Sequence, residues 1–156
     1  VLNIETYPTE KFVNKIDKNS NYFLISSQNA VHAISDLNLN GKFCVVGKNT
    51  ASALINKGFD VIHHENYADD LADFISNNFQ PITWNFFCGN NRRETLFEEL
   101  VPKGHELNEV ICYDSVPVKY KIDPELFDGI VFFSPLAVKT YFSHNLVRKN
   151  SVIFSV

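Results

Sequence analysis

The chain has 156 residues, of which 45 % are hydrophobic and 21 % charged, and its formal net charge is −4. This composition is ordinary for a globular protein. The negative charge argues against non-specific binding of nucleic acids, which requires basic surface to neutralise phosphates. No apolar run approaches the roughly 18 residues that a membrane-spanning helix needs. We therefore expect neither a nucleic acid nor a membrane as a partner.

The cysteines and the two ends of the chain indicate the kind of protein this is. Cys44, Cys88 and Cys112 each lie inside an apolar run and none belongs to a CxxC pair, so we predict buried thiols in a reducing compartment. No signal peptide is visible, and we expect a cytoplasmic location. The sequence contains no methionine and ends on an apolar run, 151–156. We interpret it as the core fragment of a longer protein.

Short apolar runs alternate with segments of helical periodicity along the chain. The predicted elements are, in chain order, strand 22–26, helix 29–37, strand 43–47, helix 50–57, strand 60–63, helix 67–78, strand 82–88, helix 92–103, strand 106–113, strand 129–134, helix 135–146 and strand 151–156. The strands are continuously apolar, which is typical of parallel strands covered by helices on both faces. An α/β fold with a buried parallel sheet is therefore predicted.

Two extended segments interrupt this alternation. Residues 1–8 lead into a first helix, expected near Thr9, and residues 112–121 form the second segment. Extended segments on either side of a region from 9 to 111 are typical of an inserted domain with a two-stranded connector. Two ordinary edge strands explain them equally well, and the pattern alone does not choose between the two.

Four polar turns follow the carboxyl ends of predicted strands. They are residues 26–29, 47–51, 88–93 and 134–136, and none contains Asp or Glu. Helix N-termini bind anions through unpaired N–H groups, and ligands of parallel sheets lie at this edge. The simpler interpretation is that Ser, Thr and Asn only cap the helices. Four such turns without an acidic residue favour a site for several carboxylates or phosphates.

Other chemistry has weaker support. The nucleotide-binding fingerprints GxxxxGK[ST] and GxGxxG are absent, and no serine lies in a GxSxG motif. His63 and His64 have no third ligand at metal-binding spacing, so we predict a solvated pair and no metal site. Arg92 and Arg93, predicted at a helix start, are candidates for binding a carboxylate. Tyr113, at the end of a predicted strand, is either a packing residue or a proton donor.

Five segments carry short motifs in a defined order. Residues 23–31 read FLISSQNAV, residues 46–54 read VGKNTASAL before Gly58, and residues 132–138 read FFSPLAV. Between them lie Gly89, Arg92, Leu96, Leu100, Gly104 and the strand-end Tyr113. These segments resemble the patterns IFTSxNAV, VGxxTAxAL…G, GxxR…L…L…G and FxSPxAV of the uroporphyrinogen-III synthase family, with Ser26 where threonine is usual. The resemblance covers essentially the whole chain.

The resemblance implies a fold of two parallel-sheet α/β domains joined by a two-stranded connector, with the active-site cleft between them. Residues 1–8 and 112–119 become the connector strands, 9–111 a complete domain, and 120–156 part of the other domain, which is only partly present. That domain's opening strand and helix are then expected before Val1, and a Thr-Ala-type turn after Val156.

The resemblance also implies an enzyme, a cofactor-free lyase of haem biosynthesis. It cyclises hydroxymethylbilane, a linear tetrapyrrole with eight carboxylates, to uroporphyrinogen III, with inversion of ring D and loss of water. Tyr113 is assigned to the departure of the hydroxyl group. The substrate-binding set implied by the motifs is Ser26, Ser27, Gln28, Asn29, Gly47, Asn49, Thr50, Ala51, Gly89, Asn90, Arg92, Ser134, Pro135 and Leu136. A monomer is expected.

Two further interpretations stay open. A non-catalytic, two-lobed binding protein for a small anion has a similar sheet and a similar cleft. A sensor or regulatory domain is the third, and it predicts an additional effector module outside this chain. Turnover of hydroxymethylbilane separates the enzyme from both.

Overall fold

A computed structural model describes residues 2–7, 9–118 and 120–155. The chain folds as two compact units: a larger unit, Thr6–Asp114, and a smaller unit that joins residues up to Glu5 to residues from Ser115 onward. The predicted connector strands include Val1, Pro8 and Lys119, which lie outside the described residues, as does Val156 of the last predicted strand. The predicted domain boundaries stay predictions.

The elements alternate between strand and helix through most of the chain. The strands are β1 Leu2–Thr6, β2 Tyr22–Ile25, β3 Lys42–Val46, β4 Asp60–Glu65, β5 Thr83–Gly89, β6 Glu106–Pro117, β7 Gly129–Phe132 and β8 Val152–Ser155. The α-helices are α1 Gln28–Ile34, α2 Lys48–Asn56, α3 Ala68–Asn78, α4 Thr95–Leu100 and α5 Pro135–Phe142, and short 3₁₀ helices cover Thr9–Lys11, Val13–Lys15, Val101–Lys103 and Pro124–Leu126. In the described part of the chain, no helix is long and apolar enough to cross a membrane.

The predicted parallel sheet is confirmed. Six strands hydrogen-bond in the order β1-β6-β5-β2-β3-β4, and β2 to β6 pair with one another in parallel. β1 lies at the edge beside β6, and β6 continues past Asp114, where the larger unit ends. Whether β1 and β6 serve as an interdomain connector stays a prediction.

Both faces of the sheet are covered in the larger unit, which explains why its central strands β2, β3 and β5 are apolar without alternation. On one face, α1 and α2 pack through Val31, Ile34 and Leu54, together with Phe12 from the 3₁₀ segment. On the other face α3 and α4 pack through side chains that are also buried, namely Leu71, Ala72, Ile75, Leu96 and Leu100.

Two helix predictions in the larger unit were wrong. A helix was expected near Thr9, but only two 3₁₀ turns form there. The Asn108 side chain donates to the Lys15 carbonyl (2.8 Å), so a side chain satisfies a peptide group that a longer helix would use. A helix was also expected to start at Arg92, but α4 starts at Thr95. Arg92 and Arg93 lie in the preceding turn because Arg92 is bound to two carboxylates there.

In the smaller unit, β7 and β8 pair in parallel and α5 follows β7. The predicted helix 135–146 is too long, because α5 ends at Phe142. The buried Asn145 side chain donates to the carbonyls of Tyr141 (3.1 Å) and Tyr120 (2.7 Å), and it accepts from the Ile122 N–H (2.8 Å). The Asn145 side chain therefore binds a carbonyl in the last turn of α5 and connects that end of the helix to the segment 120–122.

The prediction of buried thiols is confirmed. Cys44, Cys88 and Cys112 all lie in described strands and all are free and buried. Burial raises the pKa of Cys44 to about 12 and that of Cys112 to about 12, and it also raises the pKa of Cys88. Such thiols pack as small apolar side chains, because burial disfavours the reactive thiolate.

His105 links stability to pH. Its Nδ1 faces the N–H of Ile82 (3.3 Å) and the indole N–H of Trp84 (3.4 Å), so it accepts from both and the neutral ring carries its proton on Nε2. Burial lowers the pKa of His105 below its ordinary 6.5, and the charge of Lys103 acts in the same direction. The folded state therefore binds fewer protons at His105 than the unfolded state does. The contribution of the neutral ring to stability is consequently lost as the pH falls below 6.5.

We expect the free energy of unfolding to decrease between about pH 7.5 and about pH 5.5, and we expect His105→Gln to remove part of that decrease. Urea unfolding at several pH values measures both effects. His32→Gln, at an exposed position on α1, is the control and should keep the wild-type pH slope. An unchanged slope in His105→Gln would show that another group controls the acid sensitivity.

Candidate active site

The carboxyl ends of β2, β3, β5 and β6 lie at one edge of the sheet, because these strands run in parallel. Ser26 and Ser27 follow β2, Gly47 follows β3, and β5 ends at Gly89. Tyr113 lies on β6 opposite Gly89. The structure thus brings the predicted site residues of three turns and of β6 together at the carboxyl edge of the sheet.

The turn after β2 is built around Ser27. Ser27 has extended backbone (φ −150°, ψ 138°), and its Oγ accepts from the N–H of Asn29 (3.2 Å) at the start of α1. The capping interpretation is therefore correct for Ser27. Ser26 is exposed and Gln28 is the first residue of α1.

The turn after β3 differs, because no side chain caps α2. Gly47 has φ +94°, a left-handed conformation that favours glycine, and its N–H donates to the Glu65 carbonyl (2.6 Å). Lys48 and Asn49 are exposed in the first turn of α2, Thr50 and Ala51 are buried, and none of the residues in that turn is acidic. The first N–H groups of α2 therefore lack a side-chain acceptor and face an environment suited to an anion.

A β-bulge decides where Tyr113 points. Cys88 pairs with Ile111, but Gly89 pairs with Tyr113, so β6 carries one extra residue at this point. Cys112 and Tyr113, which are consecutive, consequently pack in the same apolar cluster on the α1 side of the sheet. Without the bulge, strict alternation would send the Tyr113 side chain to the opposite face.

The phenol of Tyr113 is held beside the start of α1. Its hydroxyl group lies close to the polar side chains of Ser27 and Asn29, and only 9 % of the residue is exposed. Burial raises the pKa of Tyr113 above its ordinary 10, although Ser27 and Asn29 oppose this increase. The group is therefore protonated at neutral pH, and a role as proton donor depends on its position, because the raised pKa makes it a weaker acid.

Comparisons with known proteins identify the family of this chain. The sequence model of the family described as uroporphyrinogen-III synthase HemD matches residues 1–150. The chain belongs to the uroporphyrinogen-III synthase family. Its members are lyases that cyclise a tetrapyrrole in haem biosynthesis.

Solved structures show the same fold. A uroporphyrinogen-III synthetase from Helicobacter pylori has a TM-score of 0.70 at 14 % sequence identity, and the match covers 99 % of this chain and 75 % of that one. A mutant uroporphyrinogen III synthase from Thermus thermophilus has a TM-score of 0.68 at 15 % identity, covering 99 % and 73 %. The two-domain α/β fold class is confirmed, with this chain covering part of such a synthase.

Arg92, assigned to the substrate by its place in the uroporphyrinogen-III synthase motif, already has partners within the chain. Its Nε is bonded to Glu109 and its Nη1 lies 2.6 Å from Glu94 Oε2. The guanidinium also stacks on the ring of Phe97, 3.9 Å from the ring centroid. The sequence did not single out Glu109 or Glu94, because only the fold brings Glu109 from β6 next to the turn after β5.

Ser134 repeats the capping role in the smaller unit. Its backbone is extended, its Oγ accepts from the N–H of Ala137 (3.1 Å), and Pro135 is the first residue of α5. Pro135 has no N–H to leave unpaired at this position. Ser134, Pro135 and Leu136 therefore form the N-terminus of a helix after β7, as the sequence predicted.

Of the two neighbouring histidines, which were predicted to be a solvated pair, His64 is exposed but His63 packs against α3. His63 stacks on Phe74 with a centroid distance of 3.4 Å, and its Nε2 lies 2.9 Å from Glu65 Oε1. Among the residues that the structure describes, no group of three or more His, Cys, Asp or Glu side chains is placed to hold a metal ion.

Proposed function

We propose that Tyr113 and the polar turns around it bind and cyclise hydroxymethylbilane to uroporphyrinogen III. Membership of the uroporphyrinogen-III synthase family supplies the reaction. The observation that supports the residue assignment is the protonated phenol of Tyr113, held against the start of α1 at the carboxyl edge of the sheet. No observation favours a non-catalytic anion-binding protein.

In this proposal the turns bind the carboxylates of the substrate. The unshared N–H groups at the start of α2, from Lys48 to Thr50, are available to one carboxylate, since no side chain caps them. Ser26, in the turn after β2, and Gln28, at the start of α1, are exposed and are suited to a second carboxylate. In the smaller unit, the start of α5 at Ser134 is suited to a third carboxylate. These local sites compensate for a net charge that does not attract an anion.

Tyr113 would act at the departing hydroxyl group. Its phenolic proton passes to that oxygen, the C–O bond breaks, and water leaves as electrons from the pyrrole nitrogen form an azafulvene. A bond forms at the substituted position of ring D to give a spiro intermediate, which fragments and recombines with ring D inverted. The proton released on closure returns to the phenolate, so the overall products are uroporphyrinogen III and one water.

Positioning is the central task of such an enzyme, because hydroxymethylbilane closes unaided to the wrong isomer. We propose that the protein needs no cofactor, works as a monomer in the cytoplasm and does not bind nucleic acid. We further propose residues 9–111 as the complete domain, 1–8 and 112–119 as connector strands, and 120–156 as part of the other domain.

The test is to supply hydroxymethylbilane to the protein and to separate isomers I and III by chromatography. We expect isomer III to form faster than isomer I forms without protein. Formation of isomer I alone, at the spontaneous rate, would reject the enzyme in favour of an anion-binding protein.

A further inference from the structure

Gly89 is packed against the side chain that the proposed mechanism uses. A Cβ atom added to Gly89 would lie 2.5 Å from Cζ and 2.9 Å from the hydroxyl oxygen of Tyr113. Real Cβ contacts are not that short, so Gly89 and the present position of the phenol depend on each other. In the part of the chain that the structure describes, positive φ occurs only at Gly47, Gly58 and Gly104, so the backbone of Gly89 does not itself require glycine.

The Tyr113 backbone is fixed around this contact, so the phenol has little freedom to move away. Gly89 pairs with Tyr113 at the bulge, and the N–H of Asn90 donates to the Tyr113 carbonyl (3.1 Å). The ring packs in the apolar cluster on the α1 side, and its hydroxyl lies close to Ser27 and Asn29. An atom added at Gly89 would therefore displace the phenol from its present position beside the start of α1.

We propose that Gly89 is a positioning residue: its missing side chain lets the Tyr113 phenol lie over the end of β5 with the hydroxyl directed at the start of α1. This rests on the proposed function, in which Tyr113 donates the proton. The family motif gave Gly89 only as a substrate-binding position. The contact instead makes Gly89 act through Tyr113.

The experiment is a double-mutant cycle on the protein, with kcat and KM for isomer III measured per folded molecule. We expect Gly89→Ala to lower kcat roughly tenfold with little change in KM, because a displacement of about 1 Å misplaces a proton donor but leaves carboxylate binding intact. In a Tyr113→Phe background the same substitution should change kcat less than about threefold, because no phenolic proton is left to misplace.

Gly41→Ala is the matched control. A Cβ there would meet the backbone carbonyl oxygen of Asn21 and lie 2.5 Å from Phe23 Cε2, so the crowding is at least as severe, but Gly41 precedes β3 at the amino edge of the sheet. We expect it to lower stability and to leave kcat per folded molecule unchanged. A general effect of packing damage would lower kcat in both variants and would overturn the positioning role.

The outcomes separate this inference from the proposed function. If Tyr113→Phe lowers kcat but Gly89→Ala does not, or if the two losses multiply in the double variant, Gly89 does not act through the phenol and the proposed function stands. If Tyr113→Phe has wild-type kcat, the acid role fails and this inference fails with it. If Gly89→Ala does not fold, Gly89→Ala/Tyr113→Ala should recover folding, and failure to recover would place the requirement in the backbone of Gly89.

Discussion

Replacing Tyr113 with phenylalanine is expected to lower kcat for isomer III roughly 10- to 100-fold, with KM nearly unchanged. General acid catalysis contributes typically about 100-fold or more, and the lower end is expected here because the hydroxyl group also departs without the enzyme. The substitution removes one oxygen and keeps the ring in its apolar cluster. Steady-state kinetics with chromatographic separation of the isomers measures it.

Tyr22→Phe is the matched control for this substitution. Tyr22 starts β2 at the amino edge of the sheet, and its ring packs against Trp84 at a centroid distance of 5.3 Å. We expect wild-type kcat in this variant. Wild-type kcat in Tyr113→Phe as well would remove the acid role from Tyr113 and would leave the polar turns with substrate binding alone.

Replacing Asn85 with alanine is expected to lower the free energy of unfolding by about 3 kcal/mol, because several partly buried polar groups lose their partners. Asn85 has no exposed surface. Its Oδ1 accepts from the N–H of Asp17 (2.8 Å) and from the Asn108 side chain (2.7 Å), and its Nδ2 donates to the carbonyls of Asp17 (3.0 Å) and Ser20 (3.4 Å). Equilibrium unfolding in urea gives the change.

The control is Asn78→Ala on α3. The exposed Asn78 side chain also donates to a carbonyl, that of Phe74 at 2.8 Å, but water can replace this bond. We expect a change within about 0.5 kcal/mol for an exposed substitution of this kind. Equal losses in the two variants would show that the Asn85 network does not hold the segment before β2 on the sheet.

Asn85 shows what periodicity does not detect. The run 82–88 reads as a buried strand, and a single Asn within it carries no signal of its own. Its role depends on the loop between the 3₁₀ turns and β2, where the Asn85 side chain donates to the carbonyls of Asp17 and Ser20. The helix predicted near Thr9 was wrong for the same reason, since side chains from distant strands satisfy this backbone.

The sequence determined the class of fold, because continuously apolar strands between amphipathic helices can be buried only in a sheet covered on both faces. It also determined which turns gather at one edge, since parallel strands end on the same side. Local sequence also predicted two further features correctly. These are the helix caps Ser27 and Ser134 and the three buried cysteine thiols.

Only the tertiary structure decided the direction of the Tyr113 side chain and the partners of Arg92. Tyr113 faces α1 because one extra residue in β6 forms a bulge opposite Gly89, and hydrophobic patterns do not specify a bulge. Arg92 is bound by Glu109 because β6 lies beside β5. Both outcomes depend on pairing between residues far apart in the chain, whereas periodicity and turn chemistry report only on near neighbours.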